Sequence, residues 1–193
     1  MPSPPSPLLT LSLRTTQALL SLVIFALSVA LIHGRRFGSI PLVLLYSALS
    51  GGCSLLGAVL GIAAQWREWE VLRGKFGVLA DGMIAGNGVV AGVYMAVKLK
   101  GVRCQHVDWH GDRDLYYCDN KDVCKMLSSS IICGGLKKVE DYYVCGYLDA
   151  NDGVRARLFG RCVMSQADAV LLFLTAGVVG LVTLLGYLRL KRE

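Results

Sequence analysis

The sequence predicts an all-α membrane protein, a bundle of four transmembrane helices with a small disulfide-rich lobe between helices 3 and 4. Three observations carry this reading. The 193-residue chain is 54% hydrophobic and only 18% charged, against about 25% charged residues in soluble domains. Its apolar residues gather in four nearly charge-free stretches of 20 or more residues, at 15–34, 37–66, 76–97 and 169–188. About 20 residues at 1.5 Å rise cross a hydrocarbon core of about 30 Å. Six of the seven cysteines fall in the long hydrophilic segment between the third stretch and the fourth. Composition excludes a disordered chain, a collagen-like repeat and a free-standing soluble enzyme core.

Residues 1–14 hold four of the five prolines, Pro2, Pro4, Pro5 and Pro7, and a proline inside a helix removes a hydrogen bond. An irregular tail is therefore expected. The first span is expected over 15–32, between Arg14 and the His33, Gly34, Arg35, Arg36 turn. A cleaved signal peptide competes with it, because Arg14, Ser28 and Ala30 resemble its charged and small-residue regions. The apolar run nonetheless exceeds the roughly 7–15 residues of a signal core. The second span is expected over 40–64, with Pro41 at its start, where a missing N–H costs nothing. It stops at Gln65 to Glu70, where Trp66 and Trp69 suit the headgroup level. The third, over 76–97, is the richest in glycine, and the fourth, over 167–190, begins around Asp168 and ends at Arg189, Lys191 and Arg192.

Small residues recur at four-residue spacing, as Gly57 and Gly61 in helix 2 and as Gly82 and Gly86, then Gly88 and Gly92, in helix 3. Lipid supplies no hydrophobic drive between helices, so close backbone approach at such positions supplies dispersion contacts instead. Packing within the bundle is the preferred reading, and a face for a second copy of the chain is the alternative. Cys53, in the middle of helix 2, reads as a small packing residue.

The hydrophilic segment 99–165 holds Cys104, Cys118, Cys124, Cys133, Cys145 and Cys162. Six cysteines in a short loop-rich lobe read as a disulfide framework with 15 possible pairings. Intervals of 13, 5, 8, 11 and 16 residues between successive cysteines leave no Cys-x-x-Cys pair for zinc. A lobe this small needs staples to hold itself. Four spans put both termini on one side and the lobe on the other. Seven Lys and Arg lie on the terminal side and thirteen on the lobe side. That balance opposes a lobe outside, but the positive-inside rule weakens for loops beyond about 60 residues. The cysteines decide for cytosolic termini and a lobe in the lumen or outside, in the plasma membrane or a secretory-pathway membrane.

Asp81 and Asn87 are the strongly polar side chains well inside helix 3, and an intramembrane carboxylate is a functional-site hypothesis by default. Asp81 lies six residues past Lys75, so hydration at the interface or a bond to a neighbouring helix is the preferred reading. Lys98 is expected to snorkel at the far end. Gly86 to Ala91 spells G-x-G-x-x-A, but inside an apolar span rather than between a strand and a helix, so packing is expected and no dinucleotide. His106, Asp108 and His110 alternate, as zinc ligands on a strand would, and Asp149 to Gly153 approaches a calcium loop but is one residue short. Solvated loop and turn are the preferred readings. No catalytic constellation, metal or cofactor is expected. Basic residues interleave with Asp108, Asp112, Asp114, Asp119 and Asp122, which excludes a nucleic-acid stripe. The expected partners are the lipid bilayer, a second copy, or other membrane proteins.

Arg14 and Gln17 followed by Leu and Ser repeats, then Tyr46 and Ser47 with the small run through Gly51 and Gly52, then Leu79, Ala80, Asp81 and the later Cys104, resemble MARVEL-domain tetraspans, most of all the compact fungal kind. The resemblance covers the four spans, about half of the chain. It implies cytosolic termini and a role in membrane organisation, membrane apposition or vesicle traffic rather than catalysis. The six-cysteine loop is longer than the family pattern implies. Tetraspanins also carry a cysteine-rich lobe there, but Ile132, Cys133, Gly134 lacks the first cysteine of their Cys-Cys-Gly signature. Two alternatives stand beside the organiser: a small transporter or channel-like subunit using Asp81 and Asn87, and a membrane-anchored binding lobe.

The orientation has a direct test. A membrane-impermeant thiol reagent on intact cells should label the lobe cysteines only after external reduction. Free thiols that react only once the membrane is opened would invert the topology.

Overall fold

The computed structural model describes residues 7–33, 40–67, 75–102, 104, 131–132, 136–139, 142–145 and 154–191. Four helices in it are long and apolar enough to cross a membrane. In chain order they are α1 (Pro7–His33), α2 (Leu42–Trp66), α3 (Lys75–Lys98) and α4 (Val154–Leu190), with strands β1 (Leu136–Val139) and β2 (Tyr142–Cys145) between α3 and α4. The chain is thus a helical, multi-pass membrane protein. Among the described residues the one departure from an all-α description is the antiparallel β1–β2 pair, in which Leu136 pairs with Cys145 and Val139 with Tyr142.

The helix ends differ from the sequence reading in physical ways. α1 starts at Pro7 rather than after Arg14, because proline at the first helical position lacks only an N–H that has no partner there. Residues 8–14 are therefore helix, not irregular tail. In α2, Pro41 caps rather than enters the helix, its carbonyl accepting from the Leu44 N–H at 3.0 Å. α3 closes where the Leu99 N–H bonds the Met95 carbonyl at 3.0 Å and Gly101 takes φ 76°, a left-handed stop that glycine accepts without strain. α4 begins at Val154, thirteen residues before the expected 167, and its apolar part runs Phe159–Leu190. Asp168 consequently lies inside that helix rather than at its mouth.

α1 packs on α2, α2 on α3, α3 on α4 and α4 back on α1, a closed ring of four in chain order. The buried residues of each helix explain this. In α1 they are Arg14, Gln17, Ser21, Ile24, Ser28 and Leu31, and in α4 they include Arg161, Ser165, Asp168, Leu172, Thr175, Val179 and Val182, with Cys162, Ala169 and Ala176 beside them. Alternating steps of three and four make a seven-residue repeat, the pattern that keeps one seam facing its neighbours in a left-handed bundle. The opposite faces carry Leu19, Leu22, Leu49, Leu56, Met83, Val90, Leu174 and Leu181, all exposed. Apolar outside and partly polar inside is the arrangement that lipid demands.

At the loop end the bundle is closed by an apolar cluster of Leu31, Val43, Leu44, Met95, Leu99, Ile131, Ile132, Cys162 and Ala169. The Cys104–Cys162 disulfide ties the chain just past α3 to the first turn of the apolar part of α4, with a Cα–Cα distance of 5.7 Å. It closes 58 residues of chain, worth about 4 kcal/mol on the chain-entropy account. Of the other lobe cysteines, Cys145 ends β2, and Cys118, Cys124 and Cys133 lie outside the described residues. So do His106, Asp108 and His110, and the Asp149 to Gly153 segment.

Candidate functional site

The polar side chains of the bundle seam meet in two groups. Toward the ends that carry the termini, the Arg14 guanidinium reaches from α1 to Asp81 on α3 and pairs with both carboxylate oxygens, one bond measuring 2.7 Å and the other joining Nη2 to Oδ2. The same guanidinium donates to Gln17 Oε1 at 3.1 Å, and Gln17 Nε2 donates to the Ser54 carbonyl of α2 at 3.2 Å. Ser21 Oγ donates to Ser54 Oγ at 2.8 Å. Arg14, Gln17, Ser21, Ser54 and Asp81 are all buried.

Charge explains why this pair is made, and backbone space explains how. Arg14 and Asp81 lie about seven residues into helices that run the same way, hence about 10 Å deep. α1 and α3 are not ring neighbours, so the pair crosses the bundle diagonally and needs a passage over α2. Gly61 provides it. A Cβ there would stand 2.7 Å from Arg14 Nε and 2.9 Å from Cζ. Breaking a buried ion pair by removing one partner costs about 3–5 kcal/mol, whereas an interhelical hydrogen bond in a membrane protein contributes about 0.6 kcal/mol. The ion pair therefore dominates this end of the bundle.

The second group lies toward the loop. Asp168 of α4 is fully buried, and its Oδ2 lies 2.7 Å from Ser47 Oγ of α2 and 3.1 Å from Ser28 Oγ of α1. One heptad before it, Arg161 donates to the carbonyls of Leu31, Ile131 and Ile132 at 2.8, 2.9 and 3.0 Å. These bonds pin the root of the lobe to the end of α1. Gln166 Nε2 adds a bond to the Val102 carbonyl at 3.1 Å. Between the two groups, Ser50, Ser54, Ile84, Leu172 and Thr175 help to line a cavity with about 10 Å³ for the centre of a water molecule, room for about one water. The Thr175 hydroxyl is buried there without a hydrogen-bond partner in the structure.

The glycines named from the sequence have different neighbours. A Cβ on Gly57 would meet Ile84 of α3, on Gly88 Ala176 of α4, and on Gly92 the Phe173 ring of α4. Gly82 comes no nearer than 3.9 Å to Thr183, and Gly86 has nothing within 4 Å. Gly51, which the four-residue spacing passed over, would press on Ile24 at 2.9 Å and on the Phe25 amide at 3.1 Å. Asn87 accepts a bond from the Tyr46 hydroxyl of α2. Cys53 is free and exposed, not packed, because it falls on the outer face of α2. Lys98 lies over the Tyr94 ring at 5.9 Å.

Two substitutions separate the passage glycine from an idle one. Gly61→Ala should destabilise the protein by about 1–3 kcal/mol, the range for overpacking, while Gly86→Ala should leave it unchanged or stabilise it by up to about 1 kcal/mol through helix propensity. Unfolding in mixed micelles measures both. Equal effects would mean that Arg14 does not lie over Gly61.

Comparison with known family models, with curated proteins and with solved structures returns no match to this chain.

Proposed function

We propose that this protein is a non-enzymatic, MARVEL-like organiser of membranes, acting in lateral organisation, membrane apposition or vesicle traffic. Its termini are cytosolic and its lobe faces the lumen or the outside, in the plasma membrane or a secretory-pathway membrane. The supporting observation is that Asp81, the carboxylate about two turns into the most glycine-rich span, is consumed by Arg14. A charge held bidentately by a guanidinium is a poor place for a travelling ion, because a passing cation would have to displace an Arg that cannot give up its own charge. Asn87 is likewise taken by Tyr46. With Asp81 and Asn87 spent on closing the bundle, two surfaces remain for partners: the apolar outer faces and the lobe tied down by Cys104–Cys162. The MARVEL-like residues Arg14, Gln17 and Asp81 are also the ones that meet in this polar group, which favours the resemblance.

In this reading the outer faces sort the protein among lipids and copies of itself, and the lobe contacts proteins or an opposing membrane. Reconstitution distinguishes it from transport. Protein in sealed vesicles should give no proton or alkali-cation flux above protein-free vesicles, and labelled protein in giant vesicles should cluster in a way that reduction of the lobe weakens. A saturable cation or proton flux that Asp81→Asn abolishes would contradict the organiser and establish the transporter reading.

A further inference from the structure

We infer that Asp168, Ser28 and Ser47 form a binding site for one proton, held as a neutral carboxylic acid inside the membrane. The inference comes from counting hydrogens. Three oxygens, Ser28 Oγ, Ser47 Oγ and Asp168 Oδ2, make a triangle whose sides measure 2.9, 3.1 and 2.7 Å. The two shorter sides are hydrogen-bond lengths and the third is contact distance for two oxygens, and in a buried site two lone pairs held that close repel unless a hydrogen lies between them. The two serines bring one hydroxyl hydrogen each. An ionised carboxylate brings none, so one side would set two lone pairs against each other. A proton on Oδ2 supplies the third hydrogen and closes a ring in which each oxygen donates once and accepts once: Asp168 to Ser28, Ser28 to Ser47, Ser47 back to Asp168.

The other carboxyl oxygen agrees. Asp168 Oδ1 is buried without a partner in the structure. Left bare, an ionised oxygen is far more costly than a neutral carbonyl-type one. Charges on the packed elements do not relieve it. Arg161, on the same helix, is turned to the carbonyls of Leu31, Ile131 and Ile132. On α2 the Tyr46 hydroxyl bonds Asn87. His33 ends α1 exposed, and Lys98 ends α3 exposed over Tyr94. A cation in place of the proton fits worse, because a hard cation wants six or more oxygens and the triangle offers three.

The site has a structural consequence, since its three oxygens come from α1, α2 and α4. One proton joins three of the four helices directly beneath the apolar cluster that carries the lobe. Loss of the proton would set like lone pairs face to face and loosen that joint.

The test is infrared spectroscopy of the full-length protein in vesicles of ether-linked phosphatidylcholine, whose lipids carry no ester carbonyl to mask the signal. At neutral pH the wild type should show a protonated-carboxyl C=O band that shifts in deuterium oxide and is lost in Asp168→Asn. Ser47→Ala should keep the band and move it, because the ring is opened. If Asp168→Asn does not insert, the Ser47→Ala shift alone carries the assignment. A wild type without such a band, or a band that neither variant changes, would overturn the proton site. A rise in thermal midpoint with sodium, lithium or potassium that Asp168→Asn removes would also overturn it, in favour of a cation.

Discussion

A guanidinium buried in a bilayer cannot be left alone, and the position of Arg14 constrains much of this bundle. Arg cannot shed its charge, so the chain must deliver a carboxylate at the same depth. Asp81 answers from the helix diagonally opposite. Satisfying that demand fixes the vertical register of α1 against α3, requires α2 to yield room at Gly61, and orients Gln17 toward Ser54. The serines that follow add small increments to a geometry that the ion pair has set.

The two polar groups suit their depths in different ways. Near the termini a full ion pair is tolerated because both side chains come from the outer turns of their helices. Closer to the loop, the carboxyl of Asp168 is met by two hydroxyls rather than by a cation. The nearby Arg161 spends its donors on backbone carbonyls, and so fastens the lobe to the bundle. With Cys104–Cys162 beside it, this fastening gives the lobe a rigid root.

Much of the bundle was legible in the sequence because four long apolar runs have few alternatives in water or lipid. The number of spans follows from hydropathy and the close approach at Gly57, Gly88 and Gly92 from small-residue spacing, whereas the Cys104–Cys162 pairing does not, because spacing alone leaves fifteen pairings open. The polar core was harder to see. Arg14 reads as a boundary charge because hydropathy windows stop at charges, and Pro7 reads as a helix breaker although it begins the helix. Asp168 reads as the start of helix 4 for the same reason. The missing signal was the seven-residue spacing of Arg14, Gln17, Ser21 and Ser28, and of Arg161, Ser165, Asp168 and Thr175, which places charges and hydroxyls on one inward seam. Gly86 and Cys53 show the converse error: a residue type suited to packing packs on nothing when its helix turns it outward.

The most direct test of the central constraint is a double-mutant cycle on Arg14→Met and Asp81→Leu, read as unfolding free energy in micelles. Each single change should destabilise by about 3–5 kcal/mol, and Asp81→Leu should be the worse, because a stranded carboxylate can take up a proton and a stranded guanidinium cannot lose one. The double variant should cost far less than the sum, since two apolar side chains of similar volume leave no orphaned charge. Single effects below about 1 kcal/mol that simply add, as exposed pairs do, would contradict the account and return Arg14 and Asp81 to the membrane surface.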